Sequence, residues 1–245
     1  MYKQFSSVNF GVPCVAVLLA VCLEYTGLDV WLSRHFYDSD RGIWPYKTHW
    51  LTEDLLHDGG RTLVITLAIV LLCLLGGSFL RAGLKPYRLD LAFVLVAGLS
   101  GPAIIGGLKT LTHIYSPWDL LIFGGNQPYI RIFDHVPVHA PVGHAFPAGH
   151  ASGGFAWFSV FFALRRRGIP WYPISLLLPL LLGFVFGLAQ QARGAHFLSH
   201  DLVTLATCWI CAVVWMRLLY ANAHSPAITG AVKPVIVKHH YKELT

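Results

Sequence analysis

Charge is scarce in this chain. Only 12% of its 245 residues are Asp, Glu, Lys or Arg, about half the roughly 25% of an ordinary soluble domain. That shortage excludes a conventional soluble globule and also a highly charged disordered chain. Acids are the scarcer sign, 12 against 18 Lys and Arg, for a net charge of +6. The basic excess falls in short clusters between apolar runs, a pattern that fits membrane orientation and not nucleic-acid binding. Cysteine is limited to five residues, all inside apolar runs. Cys208 and Cys211 form a CxxC with no second pair and no histidine cluster beside it, so they read as packing residues and not as a redox or zinc site. The N-terminal apolar stretch lacks a small-residue cleavage site and reads as a retained first helix.

What the chain does have is long apolar runs. A membrane-crossing helix needs about 20 such residues, and six spans can be drawn, at roughly 10–32, 61–81, 89–108, 150–165, 171–190 and 202–221. The expected fold class is all-α, a polytopic membrane helical bundle of about six transmembrane helices. One integral membrane domain would cover 1–225, and a polar C-terminal tail 226–245. Gly153 and Gly154 would let the short fourth span pack closely, and Pro173 and Pro179 would kink the fifth.

The connecting segments alternate in character. Lys3, the group Arg81, Lys85 and Arg88, the run Arg165, Arg166 and Arg167, and Arg217 with Lys233, Lys238 and Lys242 fall on one side of a six-span layout. The positive-inside rule makes that side cytoplasmic, with both termini inside. The opposite side holds the segments 33–60, 109–149 and 191–201, which carry most of the histidines and acids. Within the first of these, "WPYKTHWLTEDLLHDGGR" suggests a short helix lying in the interface. Its bland alternative is a packed lid with no chemistry. Glu24 would meet the interface near the outer end of the first span.

Three outer stretches carry groups suited to phosphate chemistry. "KTLTHIYSPWDLLIFGG" begins at Lys109. "FPAGHASGGF" contains Gly149 and His150, and "RGAHFLSHD" runs from Arg193 to Asp201. In the second, Pro147 and Gly149 suit a helix start where the backbone can approach a ligand. Free N–H groups at such a start favour an anion, and His150 beside it could protonate a leaving oxygen. In the third, a helix over 193–201 would put Arg193, His196 and His200 on a shared face, with Asp201 partly aside. An imidazole aided by a carboxylate or a second imidazole can attack phosphorus, and arginine can grip two phosphate oxygens. Asp119 could pair with Lys109 or Arg193 and help shape the pocket, or simply cap its loop, and Gly124 and Gly125 read as turn residues. His113, His135, His139 and His144 crowd the long outer segment, but their spacing matches no zinc signature, and no metal is expected.

These stretches resemble the type 2 phosphatidic acid phosphatase family, whose members share the acid-phosphatase and haloperoxidase fold. The family signature runs K-x6-R-P, then P-S-G-H, then S-R-x5-H-x3-D. Here Lys109, six residues and Ser116–Pro117 match the first part without its arginine. "PAGH" at 147–150 matches the second with Ala148 for serine, and "GAHFLSH" matches the third around His196. Gln190 stands at the third-part arginine and His200 at the orienting aspartate. The resemblance covers 109–205 and implies an enzyme: a metal-independent lipid phosphatase with no cofactor. His196 would be the nucleophile, forming a phosphohistidine, and His150 the acid. Lys109, an arginine and the Gly149 N–H would bind the phosphoryl oxygens. Arg193 is placed to replace the missing arginine, and either His200 or Asp201 would orient His196. A shifted register would instead make His200 the nucleophile.

The implied partners are a membrane lipid phosphate and the bilayer, with no nucleic acid. The implied location is a bacterial-type inner membrane, with the site facing outward. Two alternatives stand beside this one: a catalytically altered lipid-binding or structural membrane protein, and a lipid phosphotransferase. Polar groups gathered at membrane depth favour function over simple snorkelling.

Overall fold

A computed structural model describes residues 5–221. Lys3 and the expected tail at 226–245 lie outside the described residues. The architecture is all-helical, and the described residues form no strand beyond two isolated bridges. Helix α1 (Phe5–Tyr25) turns by 72° into α2 (Leu28–Arg34). The corner is Gly27, whose φ of 75° is a left-handed conformation that glycine adopts without steric cost. After an irregular stretch, a π-helical segment (Leu51–Gly59) runs without a break into α3 (Gly60–Leu80). Helix α4 (Arg88–Lys109) follows a 3-10 turn, and the long segment 110–148 caps one end of the bundle. Next come the short helices α5 (Gly149–Phe155) and α6 (Phe158–Arg166), then α7 (Leu177–Ala192) and α8 (Leu198–Tyr220).

Four helical stretches are long and apolar enough to cross a membrane: Leu51–Leu80, Ala82–Lys109, Tyr172–Ala192 and Leu198–Tyr220. The bent α1–α2 pair makes a fifth if counted as one span. The count is therefore four to five, and six is not confirmed. The expected fourth span is where the two differ. Helices α5 and α6 have 7 and 9 residues and are separated at Ala156–Trp157, so neither reaches the length of about 20 that a crossing needs. Pro173 sits in a 3-10 turn and Pro179 near the start of α7, so both mark the beginning of that span and not a kink within it.

Close approach of helices gives the bundle its core. Cβ atoms on Gly154 and Gly183 would collide, the first with the backbone of Gly183 and the second with the ring of Phe155. Only glycine at both positions lets α5 lie against α7. Gly101 of α4 likewise receives the sulfur of Cys208, so this cysteine is a packing residue. Phe155, Phe158, Phe162 and Trp209 fill the centre: Phe155 and Phe158 stack 10° from parallel with centroids 5.7 Å apart, and Trp209 stands edge-on to Phe158 and Phe162, offset and edge-on geometries that aromatic quadrupoles favour over a face-to-face sandwich. The Trp209 indole N–H donates to the carbonyl of Asn9 at 3.0 Å, which ties α8 to α1.

The two ends differ chemically. At one end Asp90 accepts from Arg166 at 3.0 Å, Arg167 at 2.6 Å and the Tyr220 hydroxyl at 2.8 Å. This joins the start of α4 to the ends of α6 and α8, so the basic clusters share one end. At the other end a second apolar cluster forms from Trp44, Tyr115, Leu120, Phe123, Ile130 and Phe197. It packs the outer stretches onto the helix ends that carry the candidate site. Glu24 belongs here too. It is buried and accepts from the N–H of Ile132 at 3.2 Å, pinning the long segment to α1.

Candidate active site

The three outer stretches are stitched together by backbone bonds. Segment 112–115 runs beside 141–146, with Gly143 N–H donating to Thr112 at 2.9 Å and the Thr112 hydroxyl to Phe146 at 2.8 Å. Trp118 N–H donates to the carbonyl of Gly194 at 3.0 Å, which joins the first stretch to the third. The Thr204 hydroxyl lies between the carbonyls of Ala148 and His200, at 3.0 and 2.9 Å, which joins the second to the third. Distant parts of the sequence thus meet through donors and acceptors that would otherwise be buried unpaired.

The third stretch is not the helix that its spacing suggests. Helix α7 ends at Ala192, and Gly194 takes φ 81°. Gly194 N–H bonds to Gln191 and Ala195 N–H to Gln190, both at 2.9 Å. This pair of bonds is the Schellman closure, and it terminates a helix. His196 therefore sits in a loop before α8. The shared-face argument for Arg193, His196 and His200 fails because the left-handed glycine breaks the helical register.

Helix α8 has an unusual cap. Its N-cap residue, Phe197, offers no side-chain acceptor. Asp29 of α2 supplies one instead, accepting from Ser199 N–H at 3.1 Å in a fully buried position. Removal of a cap acceptor costs about 0.5–2 kcal/mol. Asp29→Ala is expected to lower the thermal midpoint in detergent, and Asp29→Asn to lower it less because an amide oxygen still accepts. Equal midpoints for Asp29→Ala and the unmodified protein would show that the cap contributes nothing.

Around His196 the polar groups take distinct places. Lys109, at the end of α4, brings its ammonium to within 3.4 Å of where a Cβ on Gly149 would stand, so the glycine keeps the start of α5 open to it. The Lys109 charge acts on both His196 and His150. His196 is almost fully buried, and its Nδ1 has no partner among the described residues. Burial pushes its pKa well below the ordinary value. The charges of Lys109, His200 and His150 add to the shift, and the Ala145 carbonyl opposes it. A neutral imidazole keeps a free lone pair, which a nucleophile requires.

His200 and Asp201 do not bond to His196. His200 has no exposed surface, and the rings of Phe146 and Phe197 stand edge-on to it at 5.2 and 5.4 Å. Its ring centroid is 5.8 Å from that of His196, so it backs the loop, and the enclosure leaves it no opening to a substrate. Asp201 faces α7: it accepts from Gln191 at 2.6 Å and lies against Gly187, where a Cβ would meet its carboxylate. For Asp119 the ion pair with Lys109 or Arg193 does not form, and its carboxylate meets neighbouring loop groups instead. Burial raises its pKa, opposed by the Trp118 side chain, by the charge of Lys47 and by the Ser116 backbone. Lys47, and not Lys109 or Arg193, is its nearby cation. Gly124 takes φ 81° and is a turn residue as expected.

Arg193 is held on three sides. It donates to the carbonyl of Lys47 at 2.9 Å and to Glu53 at 3.3 Å, and touches the Gln190 amide oxygen at 3.5 Å. Its charge reaches His150. Two of these contacts come from the outer stretch that sequence reasoning took for an interfacial helix or a chemically silent lid. The stretch does pack as a lid, with Trp44 against Gly194 and Lys47 over the ring of Trp118 at 4.3 Å. It is not silent, because it brings Glu53 to Arg193 and lays the ring of His57 on that of His150, centroids 3.8 Å apart. Its signal was visible in hindsight: Glu53, Asp54, His57 and Asp58 are dense in titratable groups for a chain so poor in charge.

Lys109, Arg193, a buried histidine and an open helix start thus lie together at one end of the bundle. A family model for the PAP2 superfamily matches residues 90–224. The chain belongs to that superfamily. No curated protein and no solved structure matches it. The PAP2 match and the apolar helices make it a membrane protein with a phosphatase-type fold. Its departures from the PAP2 signature are now placed. Ser116 is buried at the head of a 3-10 turn, Ala148 is the uncapped start of α5, and Gln190 is buried beside the Arg193 guanidinium. Among the described residues, no three His, Cys, Asp or Glu side chains gather as a metal site would require.

Proposed function

We propose that this protein is a membrane phosphatase that hydrolyses a lipid-linked phosphate monoester or pyrophosphate through a phosphohistidine at His196. The observation that carries the reading is the gathering of Lys109, Gly149, His150, Arg193 and His196 at one end of the bundle, from three stretches far apart in sequence. Lys109, Arg193 and the Gly149 N–H hold the phosphoryl oxygens and offset the charge that builds on them. A nitrogen of His196 forms a bond to phosphorus as the bond to the leaving oxygen breaks, and His150 gives that oxygen its proton. Water then attacks phosphorus, the N–P bond breaks, and the water proton returns to His150. No step draws on a metal.

A lipid substrate is supported by position. The site lies at the rim of helices whose outward residues are apolar, including Leu63, Ile65, Ile69 and Leu72 of α3. The basic clusters lie at the opposite end, beside Asp90. By the positive-inside rule the site faces away from the cytoplasm, as in a bacterial-type inner membrane.

The test is inorganic phosphate release by detergent-purified protein from phosphatidic acid, phosphatidylglycerol phosphate, a polyprenyl pyrophosphate and lipid A, without added metal. Release is expected on at least one of these, with inhibition by vanadate, which mimics the five-coordinate phosphorus. Recovery of every lipid intact would overturn the enzyme reading in favour of a lipid binder. Transfer to a lipid acceptor in excess of release would make the protein a phosphotransferase.

A further inference from the structure

The superfamily match begins at residue 90, yet an imidazole from residue 57 lies flat on the candidate acid. The rings of His57 and His150 are 28° from parallel with centroids 3.8 Å apart. Aromatic pairs this close and this nearly parallel are stacked, and stacking fixes the plane of both rings. His57 is itself fixed. Its Nδ1 lies 3.0 Å from a carboxylate oxygen of Asp58, and the π-helical turn that carries it continues into α3. The same turn is anchored by Glu53 on Arg193.

We propose that His57 is a positioning residue for His150. It holds the His150 ring in the plane from which its N–H reaches the leaving oxygen. Asp58 sets the orientation of the His57 ring, as a carboxylate does for a histidine whose other face or nitrogen is in use. The inference rests on the phosphatase reading, and in particular on His150 as the acid.

Leaving-group dependence separates positioning of an acid from general support of the fold. An alkoxide leaves only when protonated, whereas a nitrophenolate leaves without help. The experiment compares two phosphate monoesters with the same twelve-carbon chain, one alkyl and one nitrophenyl. His57→Ala is expected to lower kcat/KM about 10- to 100-fold on the alkyl ester and under about 3-fold on the nitrophenyl ester, part of the 10²–10⁴ that general acids contribute. His57→Phe keeps a stacked face and is expected within about 3-fold of the unmodified protein on both esters. His57→Leu fills the volume without a ring, and reads the same selective loss if the alanine variant does not purify. Equal losses on both esters, or a phenylalanine variant as impaired as the leucine one on the alkyl ester, would overturn the inference and leave the phosphatase reading standing. If the unmodified protein turns over neither ester and none of the lipids above, the phosphatase reading fails first.

Discussion

Replacement of His196 with alanine is expected to reduce phosphate release at least about 10³-fold, to the level of the detergent blank, while the protein still purifies as a folded species. The expected loss is large because in the proposed mechanism this imidazole forms the bond to phosphorus, and no neighbour is placed to substitute for it. His200 is enclosed by Phe146 and Phe197, and His150 belongs to a different helix start. Rapid quench of the unmodified protein with ³²P-labelled substrate into alkaline SDS should trap a base-stable, acid-labile phosphoprotein, absent from His196→Ala. Retained turnover in the alanine variant would remove the covalent route. The pH dependence follows from the same burial. The folded pKa of His196 is depressed, so the ring stays neutral below the ordinary histidine value of about 6.5 and loses its lone pair only at still lower pH. The acid limb of kcat/KM is therefore expected below about pH 6.5. A limb set above that value by the nucleophile, as shown by its shift in a His196 variant with residual activity, would contradict the burial argument.

Gly154→Leu is expected to have the largest structural effect. A side chain here meets the backbone of Gly183 and Leu182, which cannot rotate aside as a flexible side chain can. Inserting bulk into a packed core costs about 1–3 kcal/mol even where neighbours can adjust, and here a whole helix must move. Since α5 carries His150, the movement also takes the proposed acid out of the candidate site. The expected result is loss of the monodisperse peak on size exclusion, or a fall of several degrees in thermal midpoint with activity lost. Gly106→Ala is the control: a Cβ at Gly106 meets nothing within 4 Å, and alanine is the better helix former. Equal behaviour of the two variants would mean that α5 and α7 do not pack as described.

The apolar runs were sufficient to read the all-helical membrane class, because hydrocarbon-length stretches are a strong one-dimensional signal. They were insufficient for the fourth span, where Gly153 and Gly154 report close packing but not the break at Ala156–Trp157. Lys109, His150, Arg193 and His196 could be picked out because charge is costly in such a chain. Their grouping through a helix over 193–201 could not survive Gly194, whose left-handed turn becomes visible only once α7 is seen to end there. Asp29 was illegible for another reason. Its partner Ser199 is 170 residues away, and no local pattern announces a cap borrowed from a distant helix. The outer stretch containing Glu53 and His57 was undervalued because its apolar spacing suggested a surface lying on lipid. Trp44 and the Arg193 contacts turn it inward instead.

Trp44 rests where a side chain on Gly194 would be, and the Gly194 carbonyl also receives Trp118 N–H. One small residue is thus the meeting point of the first fifty residues, the long outer segment and the loop that carries His196. The region recognisable by kinship starts at 90, but the packing around the candidate site does not. A graft of 90–224 onto another member's N-terminal third would bring every signature residue along and leave behind the indole, the carboxylate cap and the stacked imidazole on which they lean.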